Sequence, residues 1–161
     1  MTSVIVLVLL CLCAAVVAGS LVVRSGKRKS AQANEVVPGR ATRAPAEWAG
    51  AHTPEARLHR RLRDAVAALR ANPALEDAWM LDARVSLEEQ AVAVDERLIA
   101  VAALPERVRV EPLAGVGAAV DAVEAAVATL AAAPGAPAGR TGVDQAMTEV
   151  GERVARLEKG S

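Results

Sequence analysis

The sequence predicts an all-α chain: an N-terminal single transmembrane helix, a basic flexible tether, then an antiparallel bundle of three to four helices. Three observations carry that expectation. Residues 4–23 form an apolar run without a charge. The composition holds 37 Ala, no Phe, no Tyr and two Trp, so strong helix formers dominate and Val stands almost alone among the β-formers. Beyond residue 53, apolar side chains recur at alternating spacings of three and four, broken only at Pro and Gly.

The first element, 3–23, is long enough to span a bilayer, since twenty residues at about 1.5 Å rise cover about 30 Å of hydrocarbon. Arg24, Lys27, Arg28 and Lys29 follow it directly, and no Lys or Arg precedes it. A secretory signal wants a charged start and a shorter apolar stretch. A lipoprotein signal wants small residues before its Cys, whereas Cys11 and Cys13 each follow Leu. An uncleaved single-pass anchor in the cell membrane fits better. The positive-inside rule then places the N-terminus outside and residues 24–161 in the cytoplasm. The competing expectation is cleavage near 17–20 and export of a helical protein. Both cysteines read as small apolar residues of the span.

Residues 24–52 read as a basic juxtamembrane linker. They lack a sustained apolar period, contain Pro38-Gly39 and Pro45, and carry six basic side chains against Glu35 and Glu47. Such a segment gains about 1 kcal/mol for each charge held near an anionic inner leaflet. Trp48 reads either as a surface anchor or as a plug for the helical domain.

The helical domain is expected over 53–133. Thr53-Pro54-Glu55 supplies a cap, a Pro suited to the first helical position, and an acid for the positive end of the dipole. Leu58, Leu62, Ala65, Val66 and Leu69 form one stripe of this first helix. Asn72-Pro73 ends it and starts a second, about 46 Å long if it reaches Leu104. That helix has two stripes: Met80, Ala83, Leu87, Ala91, Val94, Leu98 and Val101, and about 130° round, Leu81, Val85, Val92 and Ile99. Two stripes imply two neighbours. A third helix is expected after Pro112, with Leu113, Val116, Val120, Val123, Val127 and Leu130 inward. Residues 134–142, rich in Pro, Gly and Ala, read as a joint before a C-terminal amphipathic helix over 143–158. There Val143, Met147, Val150, Val154 and Leu157 form a coiled-coil-like seam.

The net charge of zero hides a polarity. Residues 24–71 hold 11 basic and 4 acidic side chains, and residues 72–161 hold 8 and 15. An antiparallel hairpin folded about Asn72-Pro73 levels residues whose numbers sum to about 145, which pairs Arg63 with Asp82 and Arg57 with Glu88. The excess of Arg over Lys, 16 to 3, together with the Ala content, suggests a GC-rich bacterial genome.

No pattern of catalytic chemistry emerges, and a non-enzymatic role is expected, with no cofactor and no metal. His52 and His59 are seven apart with no Cys beside them, and Glu55 with His59 reads as a surface contact. The acidic doublets 76–77, 88–89 and 95–96 diverge by about 100° on a helix and read as solvated faces. Gly115 and Gly117 lie inside a helical pattern, where they permit close packing rather than cradle a phosphate. The candidate interaction surface is therefore the Arg-rich first helix (Arg57, Arg61, Arg63, Arg70) and the seam of the last. The Arg face suits the acidic second helix first, an anionic membrane second, and nucleic acid last, since aromatics for base stacking are lacking. The expected function is a membrane-anchored cytoplasmic scaffold or adaptor, associating with itself or with a helical protein partner. A tethered small enzyme or ligand-binding helical module is the alternative.

Overall fold

The computed structural model describes residues 34–72, 78–132 and 137–159. The expected span 3–23 and the basic residues Arg24, Lys27, Arg28 and Lys29 lie outside the described residues. Within them the regular structure is helical throughout: a short 3-10 helix at Ala46–Ala49, then α1 (Pro54–Ala71), α2 (Ala78–Ala102), α3 (Glu106–Ala132) and α4 (Pro137–Lys159).

Helix α1 begins where its cap predicts. The Thr53 hydroxyl accepts from the Ala56 amide at 3.3 Å, and Pro54 occupies the first turn, where its missing N–H has no partner to lose. Helix α2 ends as Ala103 and Leu104 donate back to Ile99 and Val101, before Pro105. Helix α3 starts at Glu106 rather than after Pro112, which lies inside it. Pro112 removes only the amide that would bond the Val108 carbonyl, and Val108 is half exposed, so water can satisfy that group. Helix α4 starts at Pro137, so most of the joint expected over 134–142 is helical. Pro stands at its first position, and Gly139 and Gly142 lie within the helix.

Cross-helix contacts fix the direction of each element. His59–Asp95 and Arg70–Glu88 run α1 antiparallel to α2. Glu55–Arg109 and Arg61–Asp121 run α1 parallel to α3. Gly115 beside Leu157 and Gly142 beside Thr129 set α3 antiparallel to α4. The result is an up-down-up-down bundle in which α2 and α3 each pack on both α1 and α4. Its interior is Leu, Val, Met and Ala: Leu62, Leu69, Met80, Leu87, Leu98 and Leu130 are fully or almost fully buried, and Ala91, Ala119 and Ala126 bring the backbones close. Among the described residues, α3 is the one helix long and apolar enough to cross a membrane by length and composition. Here its Val116, Val120, Val123 and Leu130 face the core of the bundle.

Two expectations about the α1–α2 hairpin are corrected. Arg63 does not meet Asp82, nor Arg57 Glu88. Arg63 lies beside Asp64 at 3.1 Å, Arg57 donates to the His52 carbonyl at 3.0 Å, and Glu88 takes Arg70. The observed pairs sum to 154–158, against about 145 for a direct turn at Asn72-Pro73.

The neck is the larger correction. Residues 34–52 are not a free tether, because Val36, Val37 and Trp48 are buried against the bundle. Gly39 adopts the left-handed φ of 88° that turns the segment back on itself, and its amide donates to Glu35 at 2.8 Å. Just beyond this turn, Arg40 and Arg43 reach Glu89 and Glu96 of α2 at 3.6 and 4.0 Å. The neck also covers Val92 and Ile99, half of the second α2 stripe, while Leu81 and Val85 remain exposed. The two neighbours implied by two stripes are thus the bundle and, in part, this neck.

Candidate functional site

The neck is fastened at a buried polar cluster. His59 projects from α1 on the same side as Leu62, Val66 and Leu69, and its side chain is completely buried. Its Nδ1 lies 2.7 Å from Asp95 Oδ1 of α2. Its Nε2 lies 2.9 Å from the Asn34 carbonyl and 3.2 Å from Asn34 Oδ1. The Asn34 amide is oriented by donation to the Pro45 and Ala44 carbonyls at 3.2 and 3.5 Å. The second Asp95 oxygen accepts from the Thr42 hydroxyl at 2.9 Å, and that hydroxyl accepts from the Ala44 amide at 3.0 Å. Trp48 stands edge-on to the imidazole, ring centres 5.5 Å apart. Neck, α1 and α2 therefore meet in one network that leaves its buried groups hydrogen-bonded. The adjoining cavity, bounded by Val36, Thr42, Val92 and Asp95, has room for about 30 Å³ only, on the scale of a single water.

A second cluster lies one turn earlier. Arg109 of α3 donates to Glu55 Oε1 at 2.7 Å, and its other nitrogens donate to the Leu104 carbonyl at 2.7 and 3.1 Å. One guanidinium thus ties the start of α1 to the α2–α3 turn. Burial opposes ionisation of Glu55. The Arg109 hydrogen bond, with help from its own backbone and Thr53, outweighs burial and holds the carboxyl below its usual value of 4.5. Open clefts of about 360 and 420 Å³ flank this pair. The first is walled by Trp48 and Ile99, the second by Pro54, Val110 and Leu113.

The Arg residues expected to form an interaction surface are engaged within the chain. Arg61 meets Glu124 and Asp121 of α3 at 2.6 and 2.7 Å, and these hydrogen bonds, Glu124 first, raise its already high pKa. Arg70 donates twice to Glu88 at 2.8 Å, and that pairing raises its pKa too. Arg57 and Arg63 have the local partners given above. The seam of the last helix also faces inward: Val143 and Val150 are buried, Met147, Val154 and Leu157 are half-buried, and all pack on the core cluster. Leu157 lies where a Cβ on Gly115 would approach it to 3.3 Å, so that glycine does admit close packing.

The polar cluster was not anticipated. Glu55 and His59 were expected at the surface and are buried, and the doublets 88–89 and 95–96 are not uniformly solvated. In each doublet one carboxylate is inside (Glu88, Asp95) and its neighbour outside (Glu89, Glu96), as the 100° step requires. A signal was present in the spacing. Position 59 falls on the 62, 66, 69 stripe, and positions 88 and 95 fall in the arc between the two α2 stripes. Any residue in that arc is enclosed once both stripes are covered. Among the described residues, no group of three or more His, Cys, Asp or Glu could hold a metal ion. Comparison with protein-family models, with curated proteins and with solved structures finds no match to this chain.

Proposed function

We propose that this protein is a single-pass membrane scaffold whose N-terminal segment 3–23 crosses the bilayer and whose helical bundle lies on the cytoplasmic side. There the bundle associates with a second copy or with a helical protein partner. The observation that carries the reading is the packed neck. With residues 34–52 held on the bundle, only residues 24–33 separate the bundle from the apolar segment. Ten residues reach at most about 36 Å when fully extended, against about 100 Å for the 29-residue tether 24–52. The bundle is therefore kept beside the bilayer rather than ranging freely below it. Basic residues Arg24, Lys27, Arg28 and Lys29 fall within that short connection, where an anionic inner leaflet attracts them.

The arginines of α1 are paired within the bundle, which favours the intramolecular use of that helix over lipid or nucleic acid. Partner exchange through the α4 seam would require α4 to leave the core, so association is expected through outward faces of an intact bundle. The test is cross-linking in native membranes with a reporter fused to the C-terminus. Retention of the full-length chain in the membrane, a cytoplasmic reporter signal and a cross-linked species are expected. A shortened, released chain would identify export instead. A chain that stays anchored but never cross-links would leave no support for the scaffold.

A further inference from the structure

We propose that the cluster joining neck to bundle is a proton-linked latch: the packed neck holds one more proton on the His59–Asp95 pair than the released neck does, so raising pH frees residues 34–45. The latch follows from the number of hydrogen-bond donors in the cluster. His59 Nε2 faces the Asn34 backbone carbonyl, which can only accept, and Asn34 Oδ1, whose amide is turned by two carbonyl acceptors on its other side. Nδ1 faces Asp95 Oδ1. The other Asp95 oxygen is taken by the Thr42 hydroxyl, which donates its one hydrogen there while accepting from the Ala44 amide.

Two hydrogen bonds thus need two hydrogens. They are present as an imidazolium with a carboxylate, or as an imidazole with a protonated Asp95. A neutral imidazole beside a carboxylate has one hydrogen too few. It would set a lone pair against oxygen at 2.7 or 2.9 Å in a side chain that water does not reach. The partner that can yield is the neck, since α1 and α2 are held together by their apolar stripes. Release would uncover Trp48, Val92 and Ile99 beside the exposed Leu81 and Val85. The inference does not depend on where the chain is anchored.

The carboxylates around the latch are paired, and Arg60 of α1 donates to the Trp48 and Ala51 carbonyls. Facing His59 are Asp95 from α2, Asn34 from the neck and the Trp48 ring. On α1, Glu55 is bound by Arg109 of α3, and Arg61 by Asp121 and Glu124. Arg40 and Arg43 of the neck sit on Glu89 and Glu96 of α2. Once Nε2 faces water instead of the Asn34 carbonyl, the second hydrogen is no longer needed. Where release gives up that proton, the released-to-packed ratio rises up to tenfold per pH unit.

The experiment uses the full chain in nonionic detergent, with hydrogen exchange of residues 34–45 followed between about pH 5.5 and 8.5 and corrected for intrinsic rates. The expected result is progressive loss of protection in the neck while α3 keeps its own. His59→Gln should abolish this pH dependence. Should that variant fail to fold, wild-type imidazole ¹⁵N and Asp95 carboxyl ¹³C shifts decide, since the packed state should show the extra proton on one partner. A protected neck with a neutral imidazole beside an ionised Asp95 would overturn the proposal. So would neck protection that does not vary with pH, or a His59→Gln variant as pH-dependent as the wild type.

Discussion

The Arg70–Glu88 ion pair reports the register of the α1–α2 hairpin near its closed end, and a double-mutant cycle on the two residues measures it. Arg70 presents two nitrogens to two carboxylate oxygens at 2.8 Å each. The Glu88 side chain is 12% exposed and that of Arg70 35%, so the pair sits at the edge of the core. Exposed pairs couple by about 0.2–1 kcal/mol, and hydrogen bonds to buried charges contribute about 1.5–3 kcal/mol. Solvent over a third of Arg70 places the expected coupling between these, at about 1–2 kcal/mol. Arg70→Ala alone should cost about 2 kcal/mol, because Glu88 is left with Arg84, whose Nε is 3.7 Å away. The assay is urea unfolding of the chain from residue 34 onward, followed by far-ultraviolet circular dichroism. With a slope of about 2 kcal/mol/M, the single substitution moves the midpoint by about 1 M. Arg63 and Asp82, the pair expected for a direct turn, should show coupling near zero. A coupling below about 0.3 kcal/mol for Arg70 and Glu88, or an equal one for Arg63 and Asp82, would refute the observed register.

The two stripes of α2 should respond oppositely to truncation. Leu87→Ala opens a cavity at a fully buried position and should cost about 2–4 kcal/mol, whereas Leu81→Gln and Val85→Thr should change stability by less than about 0.5 kcal/mol in the same urea titration. Gly115→Ala should stabilise by up to about 1 kcal/mol. The helix gains from losing a glycine, and the new Cβ meets only the movable end of Leu157; a fall in melting temperature would mean that end is fixed. Arg109→Gln removes the largest opponent of burial at Glu55 and leaves only the weaker backbone and Thr53 hydrogen bonds, so its carboxyl should titrate at higher pH by ¹³C NMR. In the wild type this depressed carboxyl contributes stability above its unfolded value, lost as pH falls through the folded one; the variant should lack that acid-linked loss, so its deficit against the wild type should be largest near neutral pH and shrink on acidification.

Much of the bundle was legible in the residues. The Thr53-Pro54 start of α1, the core-facing stripe of α2 and the inward valines of α3 follow from helical period and capping chemistry, both local properties. Pro112 and the Pro/Gly/Ala stretch before α4 misled because a breaker acts through one missing amide or one flexible residue. A flanking helix that already packs can tolerate either. The neck was illegible for a different reason. Val36, Val37 and Trp48 show no period, so nothing in their spacing announces a surface to cover. Their partner is the α2 stripe containing Val92 and Ile99, more than forty residues away. His59 and Asp95 stood at positions that helical geometry encloses, but a titratable residue is assigned to solvent until a partner is known.

The sequence by itself determined that the described chain is helical, which faces of its helices turn inward, and that charge is divided between a basic first part and an acidic remainder. These depend on spacing, propensity and composition, which act over a few residues or over the whole chain. Only the tertiary structure decided which charges meet: Arg61 with α3, Arg70 with Glu88, and the neck arginines with the outer carboxylates of α2. It also decided that the neck is part of the domain and that a histidine, an aspartate and an asparagine from three segments share one enclosed site. Such pairings depend on turn length and on the register of elements far apart in sequence. A shift of one helical turn would replace every partner while leaving each local pattern unchanged.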